Sequence, residues 1–377
     1  MSHAKFIQIH SLHGYSATLL NRDDSGLSKR ISYGGKSRTR ISSQCLKRHW
    51  RVAKDINAIE AISTDAAAVR SRETVTRKVI QPLLDMGVDK DVVEAIEEQF
   101  QLAVYGEKGT SIKSRQPLLL GQPEITYLAN EARQIAKGNL SSAEDAKKSA
   151  EEWRKKYRDN MKTLRSNCEL PGGMASALFG RMVTSDVEAN IDAAIYVAHA
   201  FTVHAEQTES DYFTVVDDLQ QVEDDAGADH IGETELSSGL FYGYVVIDRD
   251  TLINNLGDDV SLAGEVAACL IRLIATVSPG AKLGSTAPFG YAGWMMAEAG
   301  ERQPRSLAEA FRTPCEPTLD KAVSEIQKYI KQIDKCYGDH EIRRVMSFSQ
   351  ASEPDDKHVD LEKLSQWVAK AIQGDSA

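Results

Sequence analysis

The pattern of apolar and polar positions opens with Lys5 to Leu12 (KFIQIHSL), where Ile7 and Ile9 fall on one face and predict a short strand. A loop containing Asn21 leads to a helix capped by Ser42 or Ser43, whose Leu46, Trp50 and Ala53 pack inward. On another face of that helix Gln44, Lys47, Arg48 and Arg51 recur at i, i+3, i+4 and i+7. From about Ile59 to Asn167 helical patterns dominate. Asp91 to Tyr105 is amphipathic through Val92, Ile96 and Phe100, and Ser141-Ser142-Ala143-Glu144 reads as a capping box. The long helix it opens carries Ala150, Trp153, Tyr157, Met161 and Leu164 at heptad-like spacing. These features predict a helical insertion packing on its own bundle, with a partner-docking stripe as the alternative.

Cys168 to Arg181, with Pro171-Gly172-Gly173, predicts a return strand, and the Ala-rich Ile191 to Ala205 suits either helix or strand. Leu240 to Asp248 (LFYGYVVID) is an aromatic and β-branched strand, and Leu262 to Val277 a helix with Val266, Leu270, Leu273 and Ile274 inward. Ser278-Pro279-Gly280-Ala281-Lys282 ends it, and Ser285 to Ala297 returns as a strand. A helix over Glu316 to Tyr337, an edge strand over Arg343 to Phe348 and a helix over Leu361 to Ile372 complete the chain. Strand, helix, insertion, strand, strand, helix, strand is the β-α-β-β-α-β order of a ferredoxin-like or RRM-type α+β domain.

Charge changes this picture at two places. The stretch Arg22 to Arg51 holds nine Lys or Arg (Arg22, Lys29, Arg30, Lys36, Arg38, Arg40, Lys47, Arg48, Arg51) against Asp23 and Asp24, inside a chain of net charge -10. A basic patch in an acidic chain points to a placed anion site, and a nucleic-acid backbone is the anion that repeats. The helix start and Gly34-Gly35 upstream suit close backbone approach to phosphate. Gly35-Lys36-Ser37 imitates a P-loop, but position 30, where the first glycine is needed, is Arg. Conversely, Glu206 to Glu235 holds eleven Asp or Glu and no Lys or Arg, yet embeds Tyr212-Phe213 and Val215-Val216. Its spacing fits no calcium loop, so a solvated acidic protrusion is the reading and no metal is expected.

At 377 residues and 42% hydrophobic, the chain is long enough for one large core with insertions or two ordinary domains. Five scattered cysteines without a C-x-x-C pair suggest neither a disulfide framework nor zinc. His199 and His204 are five apart, which does not place two ligands on one helix face, so they read as structural. No signal peptide and no membrane-length apolar run is seen, and a cytoplasmic protein is the expectation.

Several motifs then carry a resemblance: Leu20-Asn21-Arg22-Asp23-Asp24, Gly34-Gly35-Lys36, Arg40-Ile41-Ser42-Ser43-Gln44 with Leu46-Lys47-Arg48, Gly180-Arg181-Met182 with Thr184-Ser185, Tyr212-Phe213-Thr214 with Val216-Asp217-Asp218-Leu219-Gln220, Ser237-Ser238-Gly239 with Phe241-Tyr242, and Pro279-Gly280-Ala281-Lys282 with Phe289. In this order they resemble the CasC-type backbone subunit of the type I-E CRISPR Cascade complex. The resemblance implies a hand-shaped, non-enzymatic subunit without cofactor: an RRM-like palm (residues 1–58, 168–190 and 237–377), helical fingers (59–167) and a thumb hairpin (191–236). It implies crRNA, other copies of the chain, other Cascade subunits and, by way of the guide, target DNA as partners, with no membrane. The RNA-binding set so implied is Arg22, Lys36, Arg38, Arg40, Ser42, Ser43, Gln44, Lys47, Arg48, Arg51 and Lys282, and the base-wedging set Met182, Tyr212, Phe213 and Ile231. A metal-dependent ribonuclease using Asp23 or Asp24, and an unrelated RRM-type single-strand RNA binder, remain the other classes.

Overall fold

A computed structural model describes residues 4–63, 66–138, 142–167, 172–183, 186–215, 230–351 and 357–374. Part of the acidic run (216–229), the start of the expected return strand and Thr184-Ser185 lie outside these residues. The strands are β1 (Phe6–Thr18), β2 (Arg30–Tyr33), β3 (Lys36–Ile41), β4 (Ala68–Ser71), β5 (Leu118–Gly121), β6 (Ile195–Val197), β7 (Ala200–Thr202), β8 (Thr208–Val215), β9 (His230–Asp248), β10 (Ala292–Gly300) and β11 (Ile342–Ser347). The helices are α1 (Ser43–Arg51), α2 (Gln81–Asp85), α3 (Lys90–Tyr105), α4 (Gln122–Gly138), α5 (Ala143–Asn167), α6 (Gly173–Phe179), α7 (Arg249–Asn255), α8 (Val260–Thr276), α9 (Leu283–Thr286), α10 (Leu319–Tyr337) and α11 (Leu361–Gln373). Two compact units result, one of Met1–Asn57, Tyr196–Ile247 and Ala267–Ala377, the other of Ala58–Ile195 and Asp248–Val266.

The first unit is built on a large sheet with strand order β11-β10-β1-β9-β7-β3-β2, and β8 pairs with the first half of β9 as a hairpin arm. The pairings of β10 with β1 and β11, of β7 with β3 and β9, and of β2 with β3 are antiparallel. Period-two alternation in β1 sends Ile7 and Ile9 to one face and His10 and Leu12 to the other. The Leu12 face packs Tyr242, Trp294 and Met296 against Val323, Ile326 and Ile330 of α10. On the opposite face Leu46 and Trp50 of α1 and Ile274 of α8 enclose a cavity of about 30 Å³ with Ser11 and Phe241, into which His13 brings a buried imidazole.

One polar network is buried on the α10 side. The Glu298 carboxylate accepts from His10 Nε2 at 3.1 Å, from both Arg305 terminal nitrogens at 2.7 and 2.9 Å, and from Arg343 Nε at 2.6 Å. Arg343 continues to Asp334 of α10 at 2.7 and 2.8 Å. The ionised Glu298 can only accept, so the buried, neutral His10 carries its proton on Nε2, and its Nδ1 accepts from the Tyr242 hydroxyl at 2.8 Å, which in turn accepts from the Leu307 N–H at 2.9 Å. Burial opposes ionisation of Glu298, but hydrogen bonds from His10 and Arg305 outweigh it and hold the carboxyl well below its ordinary range.

The second unit has its own core. Phe100 of α3 stacks on Trp153 of α5 with centroids 3.8 Å apart, and Tyr157, Met161 and Leu164 continue the stripe inward. Ser142 caps α5 by accepting from the Asp145 N–H at 3.2 Å. Here the stripe packs within the bundle.

Three strand expectations are corrected. Residues Gly173–Phe179, expected within a return strand, form a helix buried on every side, and such an element shows neither helical nor strand periodicity. The strand expected from Ser285 begins at Ala292, because α9 and Pro288 occupy the first residues. The strand expected at Leu240 starts ten residues earlier, at His230, since pairing with β8 rather than apolar alternation extends it.

Acid should weaken the first unit. Burial pushes the His13 imidazole from 6.5 down to about 4, and burial also lowers His10 and His204. An imidazole that is harder to protonate when folded contributes stability fully above pH 6.5, and that contribution is lost as pH falls to about 4. Melting temperatures measured from neutral pH to below about 4 should therefore fall across that interval, and His13→Gln should flatten the profile.

Candidate nucleic-acid interface

The basic stretch folds into a hairpin and a helix. Gly34 and Gly35 have φ of 61° and 73°, the left-handed pair a two-residue hairpin turn requires, and join β2 to β3 with Tyr33 opposite Lys36. The close approach at Gly34 is made to the chain itself, since a Cβ there would overlap the Arg312 carbonyl, whereas Gly35 faces open space. At the start of α1, Ser42 caps the helix by accepting from Cys45 N–H at 3.3 Å, and its own N–H donates to Asn21 Oδ1 at 2.9 Å. Asn21 thus ties the loop carrying Arg22 to the helix N-terminus. Trp50 anchors α1 in the core, leaving Gln44 and Arg48 exposed, and Lys47 and Arg51 half-buried.

The cations do not all face outward. Arg38 is fully buried and donates to the carbonyls of Thr202 at 2.8 Å and Phe311 at 2.9 Å. Burial pushes its guanidinium down from the usual range. It is a scaffold residue, and its place in the RNA-binding set is withdrawn. Arg30 is paired with both Glu206 and Glu235, so it adds little net positive charge. Arg40 donates from Nε to the Arg30 carbonyl at 3.1 Å and from Nη1 to His199 Nδ1 at 2.9 Å, which makes His199 neutral. Burial lowers His199 first, and the positive field of Arg40 and Lys29 lowers it further. His204, as expected of a structural histidine, is buried, donating to Ala205 O at 2.7 Å and accepting from Leu240 N–H at 3.1 Å.

The loop after α8 joins this surface. Gly280 N–H points at His49 Nε2 of α1 at 3.4 Å, and Ala281 N–H donates to Leu19 O at 2.8 Å. Lys282 is thereby brought to the side of α1 and the Asn21 loop, although it lies 231 residues beyond Arg51 in the sequence. Spacing alone held no signal for the His49 and Asn21 links, nor for Glu206 and Glu235 as neutralising partners.

In the hairpin of β8 and β9, Tyr212 pairs with Glu233, Phe213 with Gly232 and Thr214 with Ile231. Successive strand residues emerge on opposite faces, so Tyr212 and Phe213 cannot act on one base together, as the joint wedge assignment required. Tyr212 is 63% exposed and Phe213 37%. The Phe213 ring lies across Gly232, where any Cβ would overlap it. Met182, 68% exposed, belongs to the second unit and Tyr212, Phe213 and Ile231 to the first. No group of three or more metal-ligating side chains occurs among the described residues, and no described helix is long and apolar enough to cross a membrane.

The molecule is thus a mixed α+β protein whose large antiparallel sheet carries a cationic helix on one face, with a lysine-bearing loop beside it. It belongs to the CT1975-like protein family, whose model matches residues 7–370. Among solved structures it is similar to a chain of a "CRISPR RNA-guided surveillance complex, pre-nicking", with TM-score 0.75 and 27% identity over 97% of this chain and 100% of that one. A second chain, of a "CRISPR RNA-guided surveillance complex", shares the fold at TM-score 0.59 and 22% identity, covering 97% and 99% of the two chains. No curated protein matches.

Proposed function

We propose that this protein is a backbone subunit of a CRISPR RNA-guided surveillance complex, of the CasC type, which holds guide RNA and performs no chemistry on it. The observation that carries the reading is the convergence of α1, the Asn21 loop and the Lys282 loop into one cationic surface, in a chain similar over 97% of its length to a chain of such a complex. The positions β10-β1-β9-β7 follow the fourth, first, third and second strands of a β-α-β-β-α-β unit, which supports an RRM-like palm. The helical second unit corresponds in this reading to the fingers and the β8–β9 hairpin to the thumb.

Arg22, Lys36, Arg40, Lys47, Arg48, Arg51 and Lys282 would contact phosphates, with Ser42, Ser43 and Gln44 offering the helix start. Sequence would be read by pairing of the guide with target DNA rather than by these side chains. The thumb works by apolar contact, since its carboxylates repel phosphate. Phe213, on the Lys282 side of the hairpin, is the wedge, while Tyr212 and Ile231 on the adjoining positions and Met182 meet a neighbouring copy or base. Several copies along one cytoplasmic guide, together with other subunits, complete the proposal.

The ribonuclease alternative is disfavoured by the loop itself. Asp23 Oδ1 already accepts from the N–H groups of Ser25 at 3.0 Å and Leu27 at 3.1 Å, a turn-fixing role. Incubating the RNA-bound protein with magnesium or manganese and complementary RNA should leave both strands intact on a denaturing gel. Cleavage that disappears in Asp23→Ala or Asp24→Ala would make the ribonuclease reading the correct one.

A further inference from the structure

The two residues given different tasks above, Lys282 on phosphate and Phe213 on a base, touch one another. The Lys282 ammonium stands 5.4 Å from the centroid of the Phe213 ring and 3.3 Å from the Thr234 hydroxyl oxygen. Thr234 lies two residues from Gly232, the cross-strand partner of Phe213, and so shares its face of the hairpin. Lys282 itself is held at φ 50°, ψ 52°, a left-handed conformation that a residue with a Cβ rarely adopts. The loop is pinned in that form by the Ala281 N–H to Leu19 O bond and by the Lys282 carbonyl, which accepts from Ser285 N–H at 3.0 Å and Thr286 N–H at 3.1 Å. Strained backbone retained at a surface loop is a sign of function.

A nucleobase stacks on an aromatic ring through the face, and a cation is drawn to that same face by the ring quadrupole. The ammonium and a base therefore compete for Phe213. A phosphate offers the ammonium a full opposite charge where the ring offers only a quadrupole, so phosphate is the stronger partner.

We propose that Lys282 is a latch on the wedge: in the free subunit its ammonium covers the Phe213 face, and a phosphate of the incoming strand draws it away and opens the ring to a base. The latch rests on the RNA-binding reading of the Lys282 surface. It sets an order, phosphate first and base second, so that the wedge is bared only where a strand already lies. It also keeps an exposed aromatic covered in the free subunit, where it would otherwise invite association.

A Phe213→Trp variant reports on the ring directly, because the four native tryptophans, Trp50, Trp153, Trp294 and Trp367, are all buried. Acrylamide quenching of the introduced indole is compared in the Lys282, Lys282→Arg and Lys282→Ala forms, free and with a single-stranded oligonucleotide lacking bases, whose binding is followed by anisotropy of a label on it. The latch predicts that Lys282→Ala raises quenching of the free protein about three- to sixfold, as expected when a covered-to-open ratio of about two to five is abolished, and that Lys282→Arg does not. The base-free strand should raise quenching to the same degree in the Lys282 form and leave Lys282→Ala unchanged. Equal quenching in the free Lys282 and Lys282→Ala forms removes the contact, and an unchanged signal on demonstrated binding removes the release step. If the strand fails to bind any form, the RNA reading falls and the release step with it, while the comparison of free proteins still decides the contact.

Discussion

Replacing Lys47 and Arg48 together by glutamate abolishes retention of single-stranded RNA while the protein remains folded. Each phosphate neutralised on a single strand contributes a salt dependence of about 0.7 in log K against log salt. Two lost contacts therefore flatten the slope by about 1.4 and cost about 25-fold in affinity near 0.1 M salt, before the repulsion of two new carboxylates is added. The fold survives because α1 is anchored by Trp50, at 3% exposure, on another face. Reversing Arg48 in the last turn also opposes the helix dipole, at a cost of about 0.3–1 kcal/mol, small beside a typical stability of about 5–15 kcal/mol. Anisotropy titrations of labelled RNA across a salt series, with circular dichroism as the folding control, measure both quantities. Unchanged affinity with an unchanged slope would place the RNA elsewhere.

The largest expected effect on stability lies away from that surface. Glu298→Gln leaves the buried Arg343 and the partly exposed Arg305 beside a neutral amide that is itself fully buried. Removing one partner of a buried ion cluster costs about 3–5 kcal/mol, because the remaining charges stay desolvated. A fall in melting temperature of roughly 5–15 °C is expected. The pH dependence has a definite sign: the folded carboxyl ionises more readily than the unfolded one, so its contribution is present above the ordinary carboxylate range and disappears as pH falls through the lower folded value. Glu298→Gln should melt earlier at neutral pH and converge on the parent protein in strong acid. A melting temperature at neutral pH equal to the parent's would show that the network contributes nothing net.

Most helices were readable in the chain because they carry a polar and an apolar face: α3, α5, α10 and α11 begin and end within a few residues of their sequence patterns. Helix α6 was not, since burial on all sides erases periodicity. The first half of β9 was hidden for the opposite reason, as an exposed hairpin arm needs no apolar alternation. The same contrast governs the site. A run of Lys and Arg located the basic surface, but only three-dimensional packing separates Arg38, taken inside by the Thr202 and Phe311 carbonyls, from Arg48, left at the surface. Arg30 looked equivalent until Glu206 and Glu235, far along the chain, closed on it. The Glu298 cluster had no linear signature at all, because its members come from five separate segments.

Imaging of the protein purified together with a guide RNA bears most directly on its proposed role. Negative-stain micrographs should show curved filaments of repeated subunits, with extracted RNA of one discrete length. Free monomers without RNA, from cells in which the guide is abundantly expressed, would contradict a backbone role.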